Sequence, residues 1–183
     1  MVSLVGSLLR SVNCFPSAPL SSTIAARSSQ TPLNQVPRFI VKTSNLADLS
    51  HYKHKVVRIQ QDPSLSESSV PLDVLMSAIK TSKAKVHELW LFDVDNTRQG
   101  IGALSEEISR SKHLSILKLG GFPQSEEEAL MLSKGLSQNK SLENVSLQDV
   151  KAEEKGINAI LEAFLKIQPL KSIHLSNCEI GLS

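Results

Sequence analysis

Apolar residues along the chain recur on a fixed beat. Four hexapeptides, Val86-His87-Glu88-Leu89-Trp90-Leu91, Leu114-Ser115-Ile116-Leu117-Lys118-Leu119, Leu142-Glu143-Asn144-Val145-Ser146-Leu147 and Leu170-Lys171-Ser172-Ile173-His174-Leu175, read aliphatic-x-x-aliphatic-x-Leu, and each starts twenty-eight residues after the last. Apolar positions two apart predict a half-buried strand. Between these segments Leu104, Leu132 and Ile160 share one phase, and Ile108, Leu136 and Phe164 another four residues later. A spacing of four is one face of a helix, so each unit predicts strand, turn and helix. A looser unit precedes them, with Val57 and Ile59 as inward strand positions, a Pro/Ser/Glu turn over 62–69, and a helix carrying Leu72, Leu75 and Ile79. Ser68 or Ser69 is the expected cap of that helix, with Pro71 in its first turn.

No single strand and helix can cover both of its apolar flanks, so neighbouring units must cover one another. About three units are needed before this becomes stable, and the pattern offers four or five. The repeated strand pattern and its period resemble the leucine-rich repeat family, in particular the ribonuclease-inhibitor-like class, as in NOD-like receptor and Ran GTPase-activating protein arrays. The resemblance covers roughly residues 54–183. It implies an α/β fold, a curved solenoid with parallel strands on the concave side and helices on the convex side. The family's Asn or Cys three residues after the last strand Leu is kept only as Cys178, with Val94, Phe122 and Val150 in the earlier units. Those turns are therefore expected to be less regular than in a consensus array. Ser183 follows closely on Asn177-Cys178-Glu179-Ile180, so the last unit reads as incomplete, a fragment of a longer array, or else an open edge available for self-association.

Side chains alternate between the faces of a strand. With Leu89 and Leu91 inward, Glu88, Trp90 and Phe92 face the concave side, followed on later strands by Ile116, Lys118 and Gly120, then Asn144, Ser146 and Gln148, then Ser172, His174 and Ser176. The candidate partner-binding residues are Glu88, Trp90, Phe92, Ile116, Lys118, Asn144, Gln148 and His174. Trp90, Phe92 and Ile116 form an apolar patch flanked by Glu88 and Lys118, of the kind enriched at binding hot spots. In the alternative reading, residues 30–50 fold over the patch and make Trp90 ordinary core.

Catalytic chemistry is not expected. His51 and His54 sit beside Tyr52 ahead of the repeats, His87 and His113 fall at strand edges, and none of these has the ligand spacing of a metal site. Gly100-Ile101-Gly102 and Gly120-Gly121 lack the lysine of a phosphate loop and read as turn glycines between strand and helix. Cys178 fills a repeat position, and with Cys14 it supplies too few thiols for a disulfide framework or a zinc centre. Neither a cofactor nor a metal is expected. Glu126, Glu127 and Glu128 follow Ser125 at a helix start, where acidic groups complement the dipole; Glu106-Glu107 and Glu153-Glu154 read the same way. Asn139-Lys140-Ser141 and Asn144-Val145-Ser146 match the glycosylation pattern, which matters only in a secreted protein.

Charge divides the chain further. Of 183 residues, twenty are Lys or Arg and eighteen Asp or Glu. Residues 1–46 hold Arg10, Arg27, Arg38 and Lys42, no acid, nine serines and four prolines, so the remaining sixteen bases and eighteen acids give 47–183 a charge of −2 against +4. The division expected is a Ser/Pro-rich basic leader, disordered over 1–46, and a repeat domain over 47–183. The near-neutral total gives no reason for nucleic acid as partner, and no run of about eighteen apolar residues could span a bilayer. The expected function is a non-enzymatic, cytoplasmic interaction module or scaffold that binds protein on the concave strands. Alternatives are a GTPase-regulatory protein, or an organelle assembly factor whose leader is a cleaved transit peptide to mitochondrion or plastid. A fusion of residues 1–46 to a fluorescent protein is expected to stay diffuse in the cytosol if the leader is only a disordered segment, and to mark an organelle if it is a transit peptide; microscopy separates the two.

Overall fold

Ten elements follow one another in the computed structural model, which describes residues 38–41, 46, 48–49, 57–61, 70–82, 85–92 and 97–178. They are β1 (Arg38–Val41), β2 (Val57–Gln61), α1 (Leu72–Thr81), β3 (Val86–Phe92), α2 (Arg98–Arg110), β4 (Ile116–Gly120), α3 (Glu126–Gln138), β5 (Asn144–Gln148), α4 (Glu154–Lys166) and β6 (Ser172–Ser176). The strands form one six-stranded sheet in chain order, with every neighbouring pair parallel. From β3 onward partners are twenty-eight residues apart, as in Leu89↔Leu117, Leu117↔Val145 and Val145↔Ile173. The strand-turn-helix expectation therefore holds, and β2 with α1 forms the looser unit before it. β1 falls inside the stretch expected to be leader, so the sheet begins before residue 47. The rest of the leader with Cys14, as well as His51, Tyr52, His54, the turn 62–69 with Ser68 and Ser69, Val94 and the segment after Cys178, lie outside the described residues.

Inward residues of the strands and one face of the helices share a single core: Leu89, Leu91, Leu117, Leu119, Leu147 and Leu175 meet Leu104, Ile108, Leu132, Leu136, Ile160 and Phe164, all buried. Burying a side chain of this size contributes about 2 kcal/mol. Consecutive helices pack on one another, and Leu49, ahead of β2, is also sealed in the core.

Two helix starts depart from expectation. Pro71 itself occupies the N-cap of α1, with no side-chain cap; its carbonyl accepts from Leu75 N at 3.0 Å, and its missing N–H costs nothing there. Thr97 caps α2 by accepting from Gly100 N at 3.1 Å, which starts the helix before Gly100 and Gly102. They are helical, not turn, residues. Glu106 and Glu107 consequently lie in the second half of α2, where Glu106 meets Lys80 at 3.1 Å and Glu107 pairs with Arg110. At α3 the expected cap is present, Ser125 accepting from Glu128 N at 3.3 Å.

The turns after the strands are more regular than the lost Asn/Cys position implied. Gly121, Asp149 and Asn177, again twenty-eight apart, adopt positive φ of 82°, 55° and 51°, a region open to Gly and tolerated by Asn and Asp. Gly121 N donates to Gln148 O and Asp149 N to Ser176 O, both at 3.0 Å. Phe122 and Val150 sink into the core, while Gln124 takes over the bridging: its Nε2 donates to Gly121 O at 2.7 Å and to Asp149 O at 2.9 Å.

Asn139, the first residue of a glycosylation pattern, is instead a buried joint, 1% exposed. Its Nδ2 donates to Ile108 O at 2.6 Å and Ser111 O at 3.2 Å, and its Oδ1 accepts from Ser141 N and Leu142 N, both at 2.8 Å. One amide thus ties the end of α3 to the end of α2 and leaves no nitrogen accessible to a sugar. Asn139→Ala orphans backbone groups on both sides and is expected to cost about 3 kcal/mol, read as a lowered midpoint in urea unfolding.

Candidate binding face of the sheet

The sheet face turned away from the helices is a grid set by the register. One row runs Glu88, Ile116, Asn144, Ser172; the next Trp90, Lys118, Ser146, His174; the third Phe92, Gly120, Gln148, Ser176. Neighbouring positions in a row stand about 4.8 Å apart. β2 brings Arg58 and Gln60 to register positions beside Glu88 and Trp90.

The grid has a defined apolar end. Trp90 is half-buried, and the Lys118 ammonium lies over its ring, 4.0 Å from the centroid. A cation over an indole is stabilised by about 0.5–2 kcal/mol, the upper end applying where water is excluded. Phe92 leans across β4: a Cβ on Gly120 would lie 2.4 Å from its Cδ1. Glycine at 120 therefore makes the shelf on which the phenyl ring rests. Ile116 is half-buried beside this group.

Glu88 differs from expectation. It is 5% exposed, so it offers no carboxylate to a partner and belongs beneath the face. Asn144 is half-buried and its Oδ1 accepts from Ser172 Oγ at 2.7 Å, a strand-to-strand brace. Gln148 and His174 are exposed. The structure thus brings Trp90, Phe92, Ile116 and Lys118 together on β3 and β4, and places Gln148 and His174 separately, on β5 and β6. Of residues 30–50, the described positions are β1 (Arg38–Val41), paired along β2, Leu46 and Leu49 against the core, and the exposed Asp48. Gly120 is the member that sequence reasoning undervalued; its signal is the large-to-small pairing of Phe92 with the residue twenty-eight positions on.

At the strand-start edge His87 and His113 stack, with centroids 5.7 Å apart and planes at 23°. Ser115, two residues after His113, ties this edge to β3, its N donating to His87 O at 2.9 Å and its Oγ to the same oxygen at 3.2 Å. Burial holds His87 below its ordinary value of 6.5; His113 and Lys85 push the same way and Glu88 opposes them. Among the described residues no three His, Cys, Asp or Glu side chains converge as a metal site, and no helix is long and apolar enough to cross a membrane. A groove of about 830 Å³ lies between α1 and α2, away from the sheet face, lined by Leu46, Val74, Lys80, Glu106 and Arg110 among others; it contains no converging set of chemical groups.

Fold and face together define an α/β protein with a parallel sheet, one side of which is clad in helices. Compared with models of known families and with curated proteins, the chain finds no match.

A His87 depressed in the native state binds fewer protons than in the unfolded chain. Stability is therefore indifferent to this group above the ordinary histidine range and falls as pH drops through it. Between pH 7.5 and 5.5 the urea midpoint is expected to decline less steeply for His87→Gln than for the wild type; equal slopes would remove His87 as a cause.

Proposed function

We propose that the strand-helix units form a short, curved solenoid of the leucine-rich repeat type, and that it acts without catalysis, by binding another protein across its concave sheet face. One observation carries this reading: Trp90, Lys118, Phe92 and Ile116 form a single cluster on two rigid, adjacent strands. Parallel strands joined by an unbroken ladder hold such side chains where a partner needs them, so less conformational entropy is lost on docking. Aromatic and cationic anchors are the residue types that most often dominate interface energetics. The twenty-eight-residue register from β3 to β6 and the recurring left-handed turn residue support the solenoid part.

The test uses immobilised wild-type protein beside Trp90→Ala. A protein retained by the wild type is expected to be lost, by about tenfold in affinity, from a variant that still unfolds cooperatively. Unchanged retention together with a large fall in unfolding midpoint would make Trp90 a core residue and overturn the reading.

A further inference from the structure

The last described unit differs from those before it on the side turned away from them. Ser105 and Ser109 of α2 face the following helix: both line a groove between α2 and α3, and Ser105 Oγ donates to Met131 O at 2.5 Å. Two units on, the same phase of α4 is held by Leu161, half-buried, and Leu165, 49% exposed. Ile173 continues the contrast, being half-buried where its counterparts Leu89, Leu117 and Val145 are buried, and so does Leu170 against Leu114 and Leu142. Beside this apolar strip, β6 ends the sheet among the described residues. Ser172 N donates to Glu143 O and Ser176 O accepts from Asp149 N, so Ser172, His174 and Ser176 turn their backbone groups to β5. By alternation Ile173 and Leu175 turn theirs outward.

We infer that a second copy of this chain docks on this side, its β6 running antiparallel to the first about a two-fold axis at His174. The strand itself names the occupant, because Ser-Ile-His-Leu-Ser has the same polarity pattern in both directions. With the axis at His174, Ile173 meets Leu175 of the copy and Leu175 meets the copy's Ile173. These are the residues with outward backbone groups, so both pairs fall at hydrogen-bonded positions and close the open edge. Moving the axis to Ile173 sets Leu175 against Lys171 of the copy, an apolar side chain against a charged one. The only ionisable side chain in β6 is His174, so the strand lacks the lysines with which edge strands commonly avoid one another. The pairing also brings the helix-clad sides of both sheets together on one side of the joint. There α4 lies beside the α4 of the copy with Leu161 and Leu165 between them, and Ile173 gains the wall that a following unit gives its counterparts. On the outer face the two His174 side chains stand opposite each other, at a pair whose Cα atoms are about 4.5 Å apart. Such an interface is isologous, each patch meeting itself, so association stops at two.

Sedimentation equilibrium of the full 183-residue chain is expected to show monomer passing to dimer, with a dissociation constant of about 1–10 μM. His174→Lys and His174→Glu each set like charges opposite one another and are expected to weaken the dimer about fivefold. Mixed in equal amounts, the two variants pair as opposite charges and restore it. Leu165→Glu, a change at an exposed position of α4, is expected to weaken the dimer at least as much as either. His174 and Leu165 are both exposed, so all three variants are expected to keep the wild-type urea midpoint, which reads folding separately from association. A monomer mass at every concentration up to about 100 μM would overturn the inference, and so would a dimer that none of the three changes weakens, since its contact then lies elsewhere. Mass that keeps growing with concentration would replace the two-fold pairing by a head-to-tail one. A mixture of the two His174 variants that associates no better than either alone would remove the axis from His174.

Discussion

Every strand and helix in this chain has flanks that it cannot hide alone. A residue such as Leu117 is buried only because the units on both sides supply the walls of its compartment, and the same is true of Leu132 between α2 and α4. Coverage by neighbours forces a common register, and the register is what aligns everything else. It brings Ser115, Glu143 and Lys171 into one edge ladder, in which Glu143 N donates to Ser115 O at 2.9 Å and Lys171 N to Glu143 O at 2.7 Å. It sets Gly121, Asp149 and Asn177 in the same left-handed turn, and it places Trp90 next to Lys118. The order of the outer sheet face is thus a by-product of a packing requirement: once the inward residues are aligned, the outward ones are aligned as well.

The legible part of this architecture was the part that repeats. Leu89, Leu117 and Leu175 announce strands because each recurs in phase, and Ile108, Leu136 and Phe164 announce helices for the same reason. Features that occur once carry no such signal. Asn139 holds two helix ends together, yet nothing at 111 or 167 has its side chain; only the fold reveals that a short polar sequence closes a joint. Gln124 bridges adjacent turns from a position where a family pattern directs the eye elsewhere. Glu88 departs from expectation because strand alternation gives the direction of a side chain and not the depth at which it ends. Burial depends on the neighbouring strand, and alternation within one strand carries no information about that. Gly100 departs from expectation for a more local reason: glycine suggests a turn, but the Thr97 cap has already begun the helix.

Polar groups divide between those that face water and those that align the units. The outer helices meet water with matched, mostly exposed pairs such as Lys155 with Glu126 at 2.7 Å, which contribute little each to stability. Internal amides and hydroxyls do the aligning: Ser141 Oγ donates to Leu114 O at 2.8 Å, and Ser105 Oγ to Met131 O at 2.5 Å. These bonds join one unit to the next at fixed heights, which leucines alone cannot do because apolar contact tolerates sliding. The rigidity available to the sheet face therefore derives in part from side chains on the far side of the core.

Gly120 shows how a surface can be specified by an omission. The Phe92 ring occupies the volume in which the side chain of residue 120 would otherwise stand, so the shape of the apolar shelf is written on two strands, one that supplies a ring and one that withholds a Cβ. A contact map of any bound partner would credit Phe92 and pass over its glycine. The information content of this face is consequently larger than its list of touching atoms, and a change at a residue with nothing to touch would redraw it.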